Sequence, residues 1–261
     1  RFPARRGCLS AESFLPALKK SKRRRKKMNK AFSLRSILFI SMLLFLTPVQ
    51  ANDIYIQQSG NNLDLDITQD GNNNVAGTSS TGITLTGNSM TFNIDQIGGA
   101  NVVSAVVKGV TYTGNIDLTG NSNDVALLCD SAGAGNCDTV SLSIDITGSS
   151  ADINVSVGEA ADAENFTGTI DITSGASETV TLTVDGKSAI ADIDVSNSSG
   201  SAGNSATYTQ TGDGDTNGHT LTHSHTGDAG LTVISQSGVY DNIINLTTSG
   251  DNAAINITQS D

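Results

Sequence analysis

Glycines recur along this chain at intervals of eleven residues. The interval is 11 from Gly60 to Gly71, Gly87 to Gly98, Gly98 to Gly109, Gly109 to Gly120, Gly175 to Gly186 and Gly227 to Gly238. Between the glycines, apolar residues alternate with polar ones, which is typical of half-buried strands. One strand closed by a turn cannot bury its own apolar face, so the repetition predicts units that stack on one another.

The predicted fold class is therefore all-β, a repetitive β-solenoid of stacked strand-turn-strand coils with about 11 residues per half-repeat and about 22 per coil. Longer intervals, such as the 16 residues from Gly71 to Gly87, indicate insertions in turns. No proline follows Pro48, which leaves every later backbone N–H free for strand pairing. The alternation also predicts that Val110, Leu231 and Val233 face inward.

Three segments divide the chain. Residues 1–27 carry a basic cluster and no initial Met, and we expect them to be upstream non-native translation. Residues 28–51 have a basic start, an apolar run from Ile37 to Leu46 and a small-residue end at Ala51, which predicts a secretory signal peptide. Residues 52–261 are predicted to form a single repetitive β-solenoid domain. That domain contains no apolar run of about 20 residues, so no transmembrane segment is expected there.

Charge is distributed unevenly between these segments. Only Lys108 and Lys187 are basic beyond residue 51, against 25 acidic side chains, which gives residues 52–261 a formal charge of −23. Phosphate neutralisation requires Lys and Arg, so nucleic-acid binding is excluded. A surface this acidic repels copies of itself, and salt should therefore favour self-association.

A short motif, Gln-x-Gly-x-x-Asn, accompanies several of the turns. Gln69, Gly71, Asn74 and Ala76 form its fullest copy. Shorter copies are Gln96-Gly98-Asn101, Gln236-Gly238, Gln210-Gly212 and Gln58-Gly60, and Gln259 stands where a final copy would end. The pattern resembles the repeat of the curlin family, the subunits of curli amyloid fibres. No glutamine lies between Gln96 and Gln210, so the central part departs from that pattern.

Amide side chains at these positions can form hydrogen bonds between neighbouring coils. Stacked in register, Gln and Asn hydrogen-bond to their counterparts in neighbouring coils, and glycine permits the positive φ of a tight turn. The predicted stacking-ladder residues are Gln58, Gln69, Asn74, Gln96, Asn101, Gln210, Gln236 and Gln259. The predicted turn residues are Gly60, Gly71, Gly98, Gly212 and Gly238.

Two cysteines flank a seven-residue segment within the predicted secreted domain. Cys129 and Cys137 are predicted to form a disulfide, since export leads to an oxidising compartment. Two free buried thiols are the alternative.

Two places in the chain have residues of the kind that ligate metals. His219, His223 and His225 lie at even separations, but Leu221 shares their phase, so we interpret them as inward or turn-side ladder residues in place of Gln. Asp213, Asp215 and Asn217 begin like a calcium loop, yet Ser224 stands where the closing Glu belongs, and they remain weak calcium candidates. We predict no metal and no cofactor.

The predicted function is that of a secreted structural subunit of curli-like extracellular amyloid fibres, which self-assembles by edge-to-edge β-stacking for surface adhesion and biofilm matrix. The resemblance implies a homopolymer, an outer-membrane secretion pore, a nucleating subunit and a Gram-negative source. Ile54–Gln58 and Ile255–Gln259 are the predicted docking strands, because neither end shows a cap. Catalysis is not expected, since the domain lacks Arg and its carboxylates have no distinctive context.

The alternative is a monomeric secreted β-solenoid that acts as a binding module of the adhesin or ice-binding type. Its binding surface would be an array of Thr-x-Thr pairs, which are Thr84/Thr86, Thr111/Thr113, Thr181/Thr183, Thr207/Thr209 and Thr220/Thr222.

Overall fold

The computed structural model describes residues 52–77, 82–120, 122–129, 137–158, 164–197, 204–212, 219–227, 230–250 and 253–260. Every regular element in these ranges is a β-strand, which confirms the all-β prediction. The strands are β1 (Asp53–Ile54), β2 (Gln57–Ser59), β3 (Asp64–Asp70), β4 (Val75–Ala76), β5 (Ile83–Thr86), β6 (Met90–Ile97), β7 (Asn101–Lys108), β8 (Thr111–Gly120), β9 (Asn123–Cys129), β10 (Thr139–Val157), β11 (Asn165–Asp185), β12 (Ala189–Asn197), β13 (Asn204–Thr211), β14 (Thr220–Thr226), β15 (Gly230–Ser237), β16 (Ile243–Ser249) and β17 (Ala254–Ser260). The predicted signal peptide and the segment before it lie outside the described residues.

The strands form two stacks, and neighbours within each stack pair in parallel. The first stack contains β3, β6, β8, the first half of β10, the first half of β11, β12, β14 and β16. The second contains β1 and β2, β4 and β5, β7, β9, the second halves of β10 and β11, β13, β15 and β17. The chain alternates between the two stacks, which makes the fold the predicted β-solenoid.

Coil length varies along the solenoid. One coil separates Asn101 from Asn123 by 22 residues, whereas the coil between Ile193 and His223 takes 30 residues. The average is about 26 residues per coil. The predicted length therefore describes the shortest coils, and the others are longer because their connections contain extra residues.

A column of isoleucines runs through the core of the first stack. Its members occupy the same register position on six successive strands and are at most 5% exposed: Ile67, Ile94, Ile116, Ile144, Ile170 and Ile193. Burying one such side chain contributes about 1.5–3 kcal/mol. Because each isoleucine packs on its copies above and below, this energy is available only within a stack.

Two glycines make room for large aromatic rings in the same stack. A Cβ on Gly114 would meet the ring of Tyr112, and one on Gly168 would meet the ring of Phe166. Both aromatic side chains are fully buried. A large side chain followed two positions later by glycine thus keeps the volume of a coil's interior nearly constant.

Three inward predictions are wrong. Val110 is 39% exposed because it lies in the turn before β8 rather than in a strand. Leu231 is 47% exposed and Val233 is half-buried, since the buried positions of β15 are Thr232, Ile234 and Gln236. In β15 the ladder glutamine fixes which alternate residues face inward, and it lies in the phase opposite to Leu231.

Candidate functional site

Glycines stack on glycines at both turns of the coil. Gly98 approaches Gly71 so closely that a Cβ at Gly98 would overlap the Gly71 carbonyl oxygen and Asn74 Oδ1. On the opposite turn, a Cβ at Gly87 would overlap the carbonyl oxygen of Gly60. Gly98 also has φ +159°, a backbone conformation that favours glycine. The eleven-residue interval is therefore the separation along the sequence between the two turns of one coil.

The other predicted turn residues have the same surroundings. Gly238 stacks on Gly212, which in turn lies against Gly186. The φ angles of Gly212 and Gly238 are +135° and +144°.

A buried asparagine ladder connects three consecutive coils. Asn123 Nδ2 donates to Asn101 Oδ1 at 3.0 Å, and Asn101 Nδ2 lies 3.5 Å from Asn74 Oδ1. Each amide also binds the chain at its own level, since Asn74 Nδ2 donates to the Gln69 carbonyl (3.0 Å) and Asn101 Nδ2 to the Gln96 carbonyl (3.2 Å). The three asparagines are at most 3% exposed. Their hydrogen bonds connect each turn to the strand before it and each coil to the next coil.

Gln69 and Gln96 form a shorter ladder beside the asparagines. Gln96 Nε2 donates to Gln69 Oε1 at 2.5 Å, and Gln69 Nε2 donates to the carbonyls of Asn52 and Val75. The ladder ends there, because the next strand carries Leu118 at this register position. Gln96 Oε1 consequently has no hydrogen-bond partner among the described residues.

A second glutamine column lies near the C-terminal end of the second stack. Gln210, Gln236 and Gln259 occupy one register position on β13, β15 and β17. Gln259 Nε2 donates to Gln236 Oε1 at 3.3 Å, and Gln236 Nε2 donates to the His219 carbonyl at 3.2 Å. Gln210 Oε1 instead accepts from the Tyr208 hydroxyl.

Gln58 has no glutamine stacked on it within the described part of the chain. It lies exposed on β2, and its register partner on β5 is Leu85. Gln58 nevertheless occupies the first position of the column that ends with Gln210, Gln236 and Gln259.

The structure joins Cys129 and Cys137 through a disulfide with a Cα–Cα distance of 6.0 Å. Cys129 ends β9 and is buried, as is Cys137. The bond joins the end of β9 to Cys137, which lies two residues before the start of β10.

The three histidines are buried beside the last coil. His223 and His225 lie on β14, and His219 directly precedes that strand. No group of three or more potential metal ligands occurs among the described residues. The calcium candidates Asp213, Asp215 and Asn217 lie outside those residues.

An aspartate ladder runs along the outer face of the first stack. Five aspartates share one register position on consecutive strands: Asp95, Asp117, Asp145, Asp171 and Asp194. Partial burial, followed by repulsion from Asp95 and Asp145, raises the pKa of Asp117. The pKa of Asp171 is raised in the same way, by burial and then by Asp145 and Asp194.

Sequence reasoning missed this ladder and the role of Asn123, although both left signals. Each ladder aspartate directly follows an isoleucine of the core column, so the dipeptide Ile-Asp recurs once per coil. Asn123 follows Gly120 with the same Gly-x-x-Asn spacing as Gly71 and Asn74, without the glutamine of the motif. A search for Gly-x-x-Asn alone would have found it.

The Thr-x-Thr pairs do not form one array. Thr181 and Thr183 lie in register with Thr207 and Thr209 on the second stack. The pairs on β8 and β14 belong to the first stack, and Thr84 has Gln57 and Val106 as its register neighbours.

Both ends of the solenoid present strands with no further partner among the described residues. On β17 the side chains of Ile255 and Ile257 are 44% and 46% exposed, although their register positions are buried in the preceding coils. Neither β16 nor β17 contains an ionisable side chain. At the opposite end, Ile54 and Ile56 are partly buried against the core.

Comparison with known families places a match over the first complete coils. Residues 60–98, which contain the Gln69–Gln96 rung and the Gly71–Gly98 contact, match the family model described as the curlin associated repeat. The chain carries a curlin repeat. Curlin-repeat proteins are structural rather than catalytic, and they are extracellular. Searches of curated proteins and of solved structures found no match to this chain.

The matched residues include Gln69, Asn74 and Gln96, whose side chains form hydrogen bonds between neighbouring coils or within a turn. The match ends two residues after Gln96, the last glutamine of the first stack. None of the described residues belongs to a helix that is long and apolar enough to cross a membrane.

Proposed function

We propose that the protein is a secreted structural subunit of curli-like extracellular amyloid fibres, which self-assembles by edge-to-edge β-stacking and serves surface adhesion and biofilm matrix. The observation that carries the proposal is that the first and last coils of the chain have similar inward residues in the same register columns, so that the last coil of one copy can continue into the first coil of another. Several inward columns of the solenoid meet a chemically similar residue when they are extended by one coil beyond β16 and β17.

The second stack gives the closest match. If its register is continued, Ile255 of one copy lies on Ile54 of the next, and Ile257 lies on Ile56. Gln259 then lies on Gln58, which extends the ladder of Gln236 and Gln259 by one residue. Gln58 thereby gains the glutamine partner that it lacks within its own chain. This pairing would bury the isoleucines that β17 exposes.

The first stack matches as well. Continuing its register places Leu246 on Ile67 and Ile244 on Leu65, both of which are core positions. Asn245 comes to lie beside Asp66, the carboxylate that Asn93 contacts from the opposite side at 2.7 Å within the chain. A second copy is therefore the occupant that this end fits.

Charge also favours this docking. The first coil is acidic, with Asp53, Asp64, Asp66 and Asp70 on its strands. The last two strands carry no ionisable side chain, so head-to-tail stacking brings no like charges into register at the contact. Export through the signal peptide, passage through an outer-membrane pore and templating by a nucleating subunit are parts of the same proposal, and they rest on the curlin resemblance.

Cysteine cross-linking tests the register. In a Cys8→Ser background, Gln58→Cys and Gln259→Cys should form disulfide-linked multimers during assembly, because in-register strands about 4.8 Å apart suit a disulfide. Within one chain the two positions lie at opposite ends of the stack, so a bond between them is intermolecular.

Gln57→Cys with Gln259→Cys is the matched control. Gln57 is the neighbouring glutamine on β2, and its side chain points to the other face of the strand. Multimers from the first pair and none from the control support the proposed contact. Equal cross-linking by both pairs, or by neither in fibres that do form, would contradict the register.

A further inference from the structure

Two imidazoles are buried one level below the strand that ends the first stack. His223 and His225 on β14 are 2% and 4% exposed, and β16 is the next strand above them. The residues beneath them in register are Ile193 and Val195, and those above are Leu246 and Thr248. Two ionisable side chains thus occupy positions that are otherwise uncharged in these neighbouring coils.

The hydrogen bonds of His223 suit the neutral ring. Its Nδ1 lies 2.9 Å from the Ile193 carbonyl, so Nδ1 carries the hydrogen and donates it. Its Nε2 lies 3.3 Å from Thr232 Oγ1 and accepts from that hydroxyl. A second proton, on Nε2, would point at the Thr232 hydroxyl, which donates its hydrogen to the neutral ring. That hydroxyl would then have to rotate and accept a hydrogen bond instead.

His225 has less room to adapt. Its ring packs against the backbone of β15, where a Cβ on Gly230 would lie 2.8 Å from the ring. His225 Nε2 is buried and has no hydrogen-bond partner among the described residues. A positive charge on this ring would therefore lack an acceptor at Nε2.

The surroundings offer little compensating charge. Asp194, on the outer side of β12, favours protonation of His223, while His225 opposes it. The inward side chains of β15 and β16 are uncharged: Thr232, Ile234, Gln236, Ile244, Leu246 and Thr248. On β13, burial raises the pKa of Tyr208 above its ordinary value, so its hydroxyl stays neutral.

Burial lowers the pKa of His223, despite the opposing effect of the Ile193 carbonyl, and burial lowers the pKa of His225 as well. The pKa of a histidine in the unfolded chain is about 6.5. When the folded value is lower, the unfolded state binds more protons, and stability is lost as the pH falls below about 6.5.

We propose that His223 and His225 make the C-terminal end of the solenoid, β14 to β17, open locally in mild acid while the coils of β6 to β12 stay folded. Terminal coils of a solenoid have a neighbour on one side only, so they can open without the rest. Acid then removes the docking edge, and this last consequence rests on the proposed function above.

Hydrogen exchange of the full chain at pH 7.5 and pH 5.5, expressed as protection factors, tests the inference. Each buried histidine should lower protection by at most about tenfold between these pH values, so the amides of β14 to β17 should lose up to about 100-fold. Amides of β6 and β8 should change by less than about threefold, since no histidine lies in those coils.

Two double variants serve as controls. His223→Gln with His225→Gln retains polar side chains that do not titrate, and glutamine already occupies the His225 column at Gln69 and Gln96. His223→Leu with His225→Val matches the residues above and below and is available if the first variant folds poorly. Either variant should abolish the difference between β14–β17 and β6–β8. An unchanged difference in both folded variants, or no such difference in the natural sequence, would overturn the inference.

Fibre elongation from preformed seeds separates this inference from the proposed function. If fibres form at pH 7.5, elongation should slow at pH 5.5 for the natural sequence and not for the glutamine variant. If no fibres form at any pH, the proposed function fails, and the exchange data still decide whether the histidines control the end coil.

Discussion

Replacing Asn101 with alanine would test whether the amide ladder stabilises the solenoid. Asn101 Oδ1 accepts from Asn123 Nδ2, and Asn101 Nδ2 donates to the Gln96 carbonyl. Truncation leaves a buried N–H donor of Asn123 without its acceptor and removes the donor to a buried carbonyl. At about 1–3 kcal/mol for each buried group left unpaired, we expect a loss of about 3 kcal/mol.

Asn93→Ala is the matched control, because Asn93 also bonds across two coils but does so on the solvent side, to Asp66 Oδ1. Its loss should cost no more than about 1 kcal/mol. Urea unfolding followed by circular dichroism measures both. With a slope of about 2 kcal/mol per molar urea, the midpoints should fall by about 1.5 M for Asn101→Ala and by at most about 0.5 M for Asn93→Ala. Equal shifts would refute the reasoning, since burial would then add nothing to the ladder.

Three further changes have defined outcomes. Gly98→Ala should lower the urea midpoint well below that of Gly99→Ala, because a Cβ at Gly98 would overlap the Gly71 carbonyl oxygen, whereas one at Gly99 would lie 3.2 Å from the Asn72 carbonyl oxygen. Similar midpoints would contradict the glycine stack. Asp145→Asn should raise stability at pH 7, and the gain should be smaller in 0.5 M salt, which screens the repulsion. The gain should also shrink towards pH 4, because the neighbouring aspartates of raised pKa take up protons in the folded state and so stabilise the natural sequence there. A gain independent of salt and pH would count against repulsion within the ladder. Cys129→Ser with Cys137→Ser should lower the free energy of unfolding by about 2–3 kcal/mol, and an unchanged denaturation curve would show that the disulfide stabilises nothing.

The fold was predictable because stacking imposes two periods at once. The two-residue alternation of β6, with Phe92 and Ile94 inward, marks a strand, and the eleven-residue glycine interval marks the half-coil. The phase of β15 was mispredicted because Leu231 and Val233 look more hydrophobic than Thr232. The ladder position of Gln236 fixes the phase, because Gln236 lies in register with Gln210 and Gln259 and Thr232 shares its phase.

The ladders were predictable in part. Gln69 and Gln96 form a rung because their spacing equals one coil of 27 residues, whereas Gln58 has Leu85 above it. Which residues stack on one another depends on the length of each coil. Coil length depends on insertions in the turns, and the sequence alone does not show how the residues of successive coils align across those insertions. The same uncertainty hid the aspartate ladder, whose members are unevenly spaced along the chain.

Diffraction from aligned fibres of the purified protein tests the central claim most directly. Stacked coils that continue from copy to copy predict a sharp reflection at about 4.7 Å along the fibre axis and one near 10 Å across it. A protein that remains monomeric after prolonged incubation in moderate salt, and gives no oriented reflection at about 4.7 Å, would contradict the account and favour a monomeric binding solenoid.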